Sequence, residues 1–529
     1  MYYLRENTLV EPLIGQWYAW PYLISPATAA MSTANLHMPL MKSFVQAPTL
    51  HARAAKNRKL LGGRFMGLPK DKVGEVSALI ETTVEQDGEL LEMAAAIVEL
   101  ERMVADEAKG YSVETLYEKV PEPLKGYVEI VYDLNNQPAV RLLEALMYHG
   151  PHYKTSRQQL LFSLIEDDHR EFSLSSPRFP EANQLQLQLP FSHKGLDTLF
   201  QMRNQPRQLD EIAAALNLNE EQSQQLLPFL TKTKPHSTPP YDGNGVRVRY
   251  FGHATVLVET ADVSILVDPA ISYRYPNGIE RFDFSDLPDT IDYVLITHNH
   301  QDHCLLETLL QLRHKIGTLV VPRNSGGYLV DPSLKLMFRK LGFERVMEIG
   351  ELDEIPVKGG VITGIPFLGE HSDLNILTRL AFLVRLHGRS ILFAADSRNL
   401  EPRMYEHLHR VFGDVDQLFL GMECDGAPLS WLYGPLMSRP LERQMDQSRR
   451  LNGSDFEKAD SLIDAMKAKQ VFVYALGQEP WLNYIMSVAY DDNSGPIIES
   501  NKLIAACQER GLVVERLFAH RELFLDAQP

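Results

Sequence analysis

The segment THNHQDHC, Thr297 to Cys304, places four metal-ligating residue types close together: His298, His300, Asp302 and His303. Imidazole nitrogen and carboxylate oxygen are both ligands for first-row metals. In extended chain alternate side chains share a face, so His298 and His300 point to one side just past an apolar run. Asp302 and His303 then fall where the chain turns into a helix and can face a second ion. Without a cation these groups would repel one another or stay unpaired. A merely solvated polar loop is the alternative, and the buried pattern around the segment argues against it.

Three further apolar runs end on ligand-type residues. Glu370-His371-Ser372-Asp373 follows ITGIPFLG, Asp396 ends ILFAA, and Glu423 ends LFLGM. An acidic group at the end of a fully apolar strand costs several kcal/mol or so when left unpaired. Three of them beside a His/Asp cluster point to a shared cation site. The plainer readings are a strand-end cap for Asp396 and a salt bridge or turn residue for Glu423.

The elements that must position these residues alternate after Val246. VRVRYFGHATVLVET (Val246 to Thr260) and VSILVDP (Val263 to Pro269) read as β-rich segments joined at Ala261-Asp262. YVLITH (Tyr293 to His298) reads as a strand buried on both faces. TLVVP, SILFAAD, QLFLGME and VFVYAL continue the pattern, with amphipathic helices at Leu305 to Leu312 and Phe456 to Lys467. This predicts an α/β sandwich with its site at the strand ends.

Before a Pro-, Gly- and Thr-rich seam at Thr231 to Gly245 the pattern is mainly helical. The expected domains are therefore 1–235, mainly helical with some strand, and 246–529, the α/β domain. Val73 to Ala108 is amphipathic and interrupted near Gly88. Arg141 to Tyr148 and Gln158 to Ile165 read as short buried helices, and Gln184 to Pro190 as a strand with one wet face. Gln208 to Leu230 has a two-helix cadence but lacks a basic recognition helix, which favours a structural hairpin over DNA binding. The N-terminal region shows no chemistry of its own; dimerisation or partner docking is its expected role.

The 529 residues are too many for one ordinary core, and 44% hydrophobic with 23% charged residues is a globular balance. A net charge of −17 excludes a nucleic-acid-binding face and disfavours anionic membranes. Three dispersed cysteines form neither a disulfide framework nor a zinc ribbon, as expected in a reducing cytoplasm. No signal-peptide pattern and no membrane-spanning run is expected.

His298-x-His300-x-Asp302-His303, with Gly252-His253-Ala254-Thr255, Asp268-Pro269 and Asp396, resembles the metallo-β-lactamase superfamily from about Val246 onward. That resemblance implies an αββα sandwich holding a metal pair. Where the hydrolases of the superfamily carry a third and a last histidine, this chain has Glu370 and Glu423. The carboxylate-rich set and the long helical N-terminal region resemble, more narrowly, the diiron β-hydroxylases of nonribosomal peptide synthesis, such as those of the chloramphenicol and FR900359 pathways.

The resemblance implies a non-haem diiron monooxygenase using O2 and an external electron donor. Its substrate would be an amino acid tethered as a thioester to a carrier domain. It further implies that His298, His300 and Glu370 bind one iron, that Asp302, His303 and Glu423 bind the other, and that Asp396 bridges. Glu370, Asp396 and Glu423 are the candidate catalytic residues, and His371 is read as orienting Glu370. The competing reading is a dizinc hydrolase of an ester, lactone or phosphodiester.

Other residues read more plainly. His253 packs beneath the metal loop, and Asp268 hydrogen-bonds a ligand histidine or caps a turn. Gln478 to Tyr484 either line the cleft or sit on a surface helix. Cys304 and Cys424, each next to a proposed ligand, are expected as small buried hydrophobes.

Overall fold

The computed structural model describes residues 1–276 and 278–528. Two seven-stranded sheets form the C-terminal half. The first contains β5 (Val246–Tyr250), β6 (Val256–Glu259), β7 (Ser264–Val267), β8 (Ile291–Leu295), β9 (Ile316–Pro322), β10 (Val346–Ile349) and, at its edge beside β5, β18 (Arg521–Leu525). Its hairpins β18–β5–β6–β7 are antiparallel, and β7 to β10 run parallel.

The second sheet repeats this plan. β11 (Glu354–Val357), β12 (Gly360–Ile365), β13 (Ala381–Leu386) and β14 (Arg389–Phe393) are antiparallel neighbours. β15 (Gln417–Gly421), β16 (Gln470–Tyr474) and β17 (Val513–Arg516) continue parallel to β14. β-branched and aromatic residues fill the space between the sheets, with Val248, Val258, Ile265, Phe393, Phe419 and Phe472 in one apolar cluster. Helices cover both outer faces, including Leu306–Leu312 on the first sheet and Pro402–Phe412 and Phe456–Met466 on the second. The architecture is the αββα sandwich.

The N-terminal region is mainly helical around a small antiparallel sheet, β1 (Thr8–Ile14), β2 (Trp17–Tyr18), β3 (Gln158–Leu164) and β4 (Leu185–Gln188). The amphipathic stretch forms helices α1 (Val73–Gln86) and α2 (Gly88–Glu107). They are broken at Asp87, whose buried carboxylate pairs with Arg157 at 3.0 Å. Val10, Phe162 and Leu187 of the small sheet share one apolar cluster with Leu266, Val294 and Leu309 of the sandwich. The N-terminal sheet is thereby packed onto the outer face of the first large sheet.

Two expectations fail in this region. Gln158 to Ile165 is the strand β3, not a helix, because it pairs with β1 on one side and β4 on the other. A strand enclosed by neighbours has an apolar run without strict alternation, which periodicity alone cannot distinguish from a helix turn. Arg141 to Tyr148 is the end of a strand (Pro138–Leu142) followed by a single helical turn (Glu144–Met147).

Candidate metal centre

The site is assembled at the strand ends where the two sheets face one another. β8 ends at Leu295, and the chain runs straight on into Thr297 to Cys304 before the helix Leu306–Leu312. Asp396 follows β14 and Glu423 follows β15; Glu370 and His371 lie in the loop between β12 and β13. Several of these turns use left-handed backbone at non-glycine residues: His253 (φ 50°), Asp268 (φ 41°), Glu370 (φ 60°) and Ala395 (φ 48°). Such conformations persist only where surrounding contacts impose them, and they cluster at functional sites. Gly421 is needed for space: a Cβ there would lie 2.6 Å from Asp396 Oδ1.

His298, His300 and Glu370 form one group with ligand atoms within 4.8 Å of one another; His298, His303 and Asp396 form a second; His253, Asp302 and His303 form a third. Nδ1 of His300 is 2.6 Å from Glu370 Oε1, and His303 Nε2 is 3.1 Å from Asp396 Oδ2. Glu423 belongs to none of these groups. It lines the same cavity of about 570 Å³ as His300, Asp302, Glu370 and Asp396. His371, fully buried, places Nδ1 2.9 Å from Glu370 Oε2, an ion-pair distance without the alignment of a hydrogen bond.

Donor atoms left over mark this as a cation site. His298 Nε2, Glu370 Oε2, Asp396 Oδ1 and Glu423 Oε2 are buried without a hydrogen-bond partner. Buried polar groups are otherwise nearly always satisfied; His298 stands in one ligand group with Glu370 and in another with Asp396, and Glu423 opens on the same cavity. The residues present therefore fit a metal pair, with both nitrogen and hard oxygen donors.

The titration behaviour of the metal-free site follows from its crowding. Burial, reinforced by His303, His300 and His371, pushes His298 well below the usual histidine range. Burial also opposes charge on His303, but Asp396, Asp302 and Asp268 override it and raise the ring well above the usual histidine range. Asp302 stays ionised against burial because His303 and His253 face it, and Glu370 because of His300 and His371. Glu423 is the exception: burial, with Asp425 and Asp396 nearby, outweighs Arg450 and pushes it up to about 8.

Outer contacts fix the rings. Asp268 Oδ2 accepts from His303 Nδ1 at 2.8 Å, and the same carboxylate accepts from Thr297 N at 2.7 Å and Thr297 Oγ1 at 2.6 Å. With Nδ1 committed, His303 presents Nε2 to the site. Of the two readings of Asp268, a hydrogen bond to a candidate ligand histidine or a turn cap, the first is the contact observed.

His253 sits closer to the chemistry than its sequence context suggests, with Nε2 3.2 Å from Asp302 Oδ2. Tyr433 was not singled out at all, and its hydroxyl lies 2.7 Å from His300 Nε2. No local signal marks it, since it follows a one-turn helix (Leu429–Leu432) remote in sequence.

Gln478 to Tyr484 neither line the cleft nor form a surface helix. Glu479 is buried and accepts from Tyr250 Oη at 2.5 Å, and Trp481 and Tyr484 are buried under Arg281 and Arg170. Cys304 is fully buried as expected, whereas Cys424 is only half-buried.

The roof of the cavity comes from the N-terminal region: Trp20, Leu36, Phe172 and the loop Leu61 to Arg64. Leu36 stands on a π turn (Thr33–His37) whose Asn35 donates to Pro435 O at 2.8 Å. The two regions thus enclose the site jointly. No helix among the described residues is long and apolar enough to cross a membrane.

A family model described as "Diiron non-heme beta-hydroxylase N-terminal domain" matches residues 3–235. One described as "Beta-lactamase superfamily domain" matches residues 264–427. The 4-amino-L-phenylalanyl-[CmlP-peptidyl-carrier-protein] 3-hydroxylase of Streptomyces venezuelae is 39% identical over 533 residues, spanning 99% of this chain and 100% of its own. The crystal structure of CmlA, a diiron β-hydroxylase from Streptomyces venezuelae, superposes with a TM-score of 0.93 at 38% identity, covering 99% of each chain. A UPF0173 protein of Pyrococcus abyssi is 31% identical over 126 residues, 24% of this chain and 50% of its own.

Proposed function

This chain belongs to the metallo-β-lactamase-fold diiron β-hydroxylases, and from that membership we infer that it hydroxylates the β-carbon of an amino acid held as a thioester on the phosphopantetheine arm of a nonribosomal peptide synthetase carrier domain. The observation that carries this reading is the likeness to a carrier-dependent hydroxylase along 99% of the chain, N-terminal region included. The ligand motif alone would not, because hydrolases on the same fold share it.

In this reading His298, His300 and Glu370 hold one iron and Asp302, His303 and Glu423 the other. Asp396, close to both His298 and His303, would be shared between them, and His253 is a further candidate beside Asp302. Two irons held there, reduced by an external donor, supply the oxidising power that turns O2 on an unactivated C–H bond. The chain supplies the rest. Asp268 keeps the proton on His303 Nδ1 and so leaves Nε2 free. Tyr433 fixes the plane of His300. Four carboxylates, Asp302, Glu370, Asp396 and Glu423, offset the higher charge that iron carries when oxidised. Trp20, Leu36 and Phe172 exclude water above the site. Residues 1–235, besides forming this roof, are the region proposed to dock the carrier and to mediate homodimerisation.

The test is metal analysis and visible spectroscopy of iron-reconstituted protein, followed by mass spectrometry of carrier-bound amino acids after reduction and exposure to air. About two irons per chain and a gain of one oxygen on the aminoacyl group are expected. Two zincs that iron does not displace, with thioester cleaved and no oxygen gained, would return the site to hydrolysis.

A further inference from the structure

The chain has a net charge of −17, yet the rim of the metal cavity is locally basic. Arg64 lines the cavity and also lines an outer depression of about 530 Å³ that carries Arg439 and Arg443. Arg64 is common to both spaces and ends the loop Gly62-Gly63-Arg64, which lines the metal cavity. The loop is strapped down at both ends: Gly62 N donates to Ser487 Oγ at 3.1 Å, and Arg64 donates to Ser430 O. A Cβ at Gly434 would lie 2.6 Å from Arg64 Nη2, so glycine there makes room for the guanidinium.

Arg64 is exposed, and among the described residues neither it nor Arg443 has a carboxylate at ion-pair distance. Arg439 meets Asp106 at 3.4 Å in a fully solvated pair, which binds only weakly. The acidic group in the depression, Asp446, is occupied by Ser430, accepting from its N and Oγ at 2.8 Å each. Arg64 at the edge of the metal cavity and Arg443 in the adjoining depression, neither with a carboxylate at ion-pair distance and Asp446 acting on Arg64 only from farther off, suit an anion with several oxygens. The planar fork of arginine matches phosphate.

The same loop borders a second depression, of about 280 Å³, on its other side. The cations there are Lys56 and Arg170, and Arg170 is committed to Glu11 and Glu307. Charge therefore favours the Arg64 side as the way in for an anionic tether.

We propose that Arg64, with Arg443 in the same depression, binds the phosphodiester of the carrier's phosphopantetheine arm where that arm passes into the metal cavity. The proposal rests on the carrier-thioester reading above. It makes Arg64 a substrate-binding residue outside the metal centre.

The test measures calorimetric binding of S-acetyl-pantetheine, with and without its 4′-phosphate, to the iron-loaded full chain. Wild type is expected to bind the phosphorylated probe about tenfold more tightly. Arg64→Gln should bind both probes alike, at the wild-type affinity for the unphosphorylated one, and Arg64→Lys should keep part of the preference. Lys56→Ala should keep all of it. Equal binding of both probes by wild type, a preference undiminished in Arg64→Gln, or one lost in Lys56→Ala would overturn the phosphate site and leave the carrier reading standing. Binding of neither probe to wild type would overturn the carrier-arm reading itself.

Discussion

Two buried polar clusters of this molecule look alike in composition and opposite in satisfaction. Between the N-terminal region and the sandwich, Glu307 accepts from Tyr18 at 2.9 Å, from Tyr273 at 2.8 Å, and from both terminal nitrogens of Arg170 at 3.1 and 2.8 Å. Glu11 accepts from Arg170 at 3.1 Å and Arg178 at 3.2 Å, and the Arg170 guanidinium lies 3.3 Å from the Tyr484 ring centroid. Only Arg170 Nε in this group lacks a partner. The metal centre, equally buried, leaves a ligand atom unpaired on each of four residues. A polar cluster that holds structure together completes its own valences; one that holds a cation leaves them open and aimed at a common point.

The sharpest way to break this comparison is to neutralise one buried carboxylate in each cluster. Glu307→Gln should lower stability by about 3–5 kcal/mol, because it strands the Arg170 charge in the interior. It should be visible as a large drop in melting temperature with or without metal. Glu423→Gln should leave the melting temperature of metal-free protein unchanged or raised, since burial with Asp425 and Asp396 outweighs Arg450 in opposing the charge it removes. The same variant should lose about a hundredfold or more of hydroxylation, exceeding what loss of an outer partner costs a metal site. Equal destabilisation by both substitutions would erase the distinction.

An intermediate case is Glu144, buried with only neutral partners: Ser25 Oγ at 3.0 Å and Ser333 N at 2.9 Å. Burial outweighs both hydrogen bonds and pushes its carboxyl up to about 7. A raised acid binds its proton more tightly folded than unfolded, so stability is full below the ordinary value of 4.5 and falls as pH rises through about 7. The loss is on the order of 3 kcal/mol. Glu144→Gln should flatten that slope in metal-free melting curves between pH 5 and 8 (the bounds being approximate). A slope identical to wild type would show that other groups produce it.

The smallest effect is expected at Tyr433→Phe, which removes one hydroxyl from His300 Nε2. Iron affinity should fall about tenfold with the melting temperature of metal-free protein nearly unchanged. If iron binding is undiminished, His300 is held by its other contacts alone.

How much of this was legible in the sequence depended on locality. The candidate ligands His298 to His303 lie within six positions, and Glu370, Asp396 and Glu423 each follow an apolar run, so each is marked within a few residues. The sandwich was legible for the same reason, as its strands are short and continuous. β3 was misread because an enclosed strand and a buried helical turn share one apolar pattern, and only its two neighbours decide between them. His253 and Tyr433 acquire their places from Asp302 and His300, partners 49 and 133 residues away, and no spacing rule reaches that far. Which residues of the N-terminal region roof the site has no local signal either, since Trp20, Leu36 and Phe172 meet the cavity only through the tertiary fold.

The candidate ligands come from both sheets: His298 to His303 after β8 of the first, Asp396 and Glu423 after β14 and β15 of the second. A cation bound among them is therefore also a stitch in the polymer. It closes loops of roughly a hundred residues, a constraint whose entropy grows only slowly with length but is already large at that size. Ions that bind the folded chain and not the unfolded one shift the equilibrium by mass action. Loss of iron would then loosen the seam between the sheets as well as silence the chemistry, and a protease sampling brief openings of the sandwich would sense the metal content of the protein.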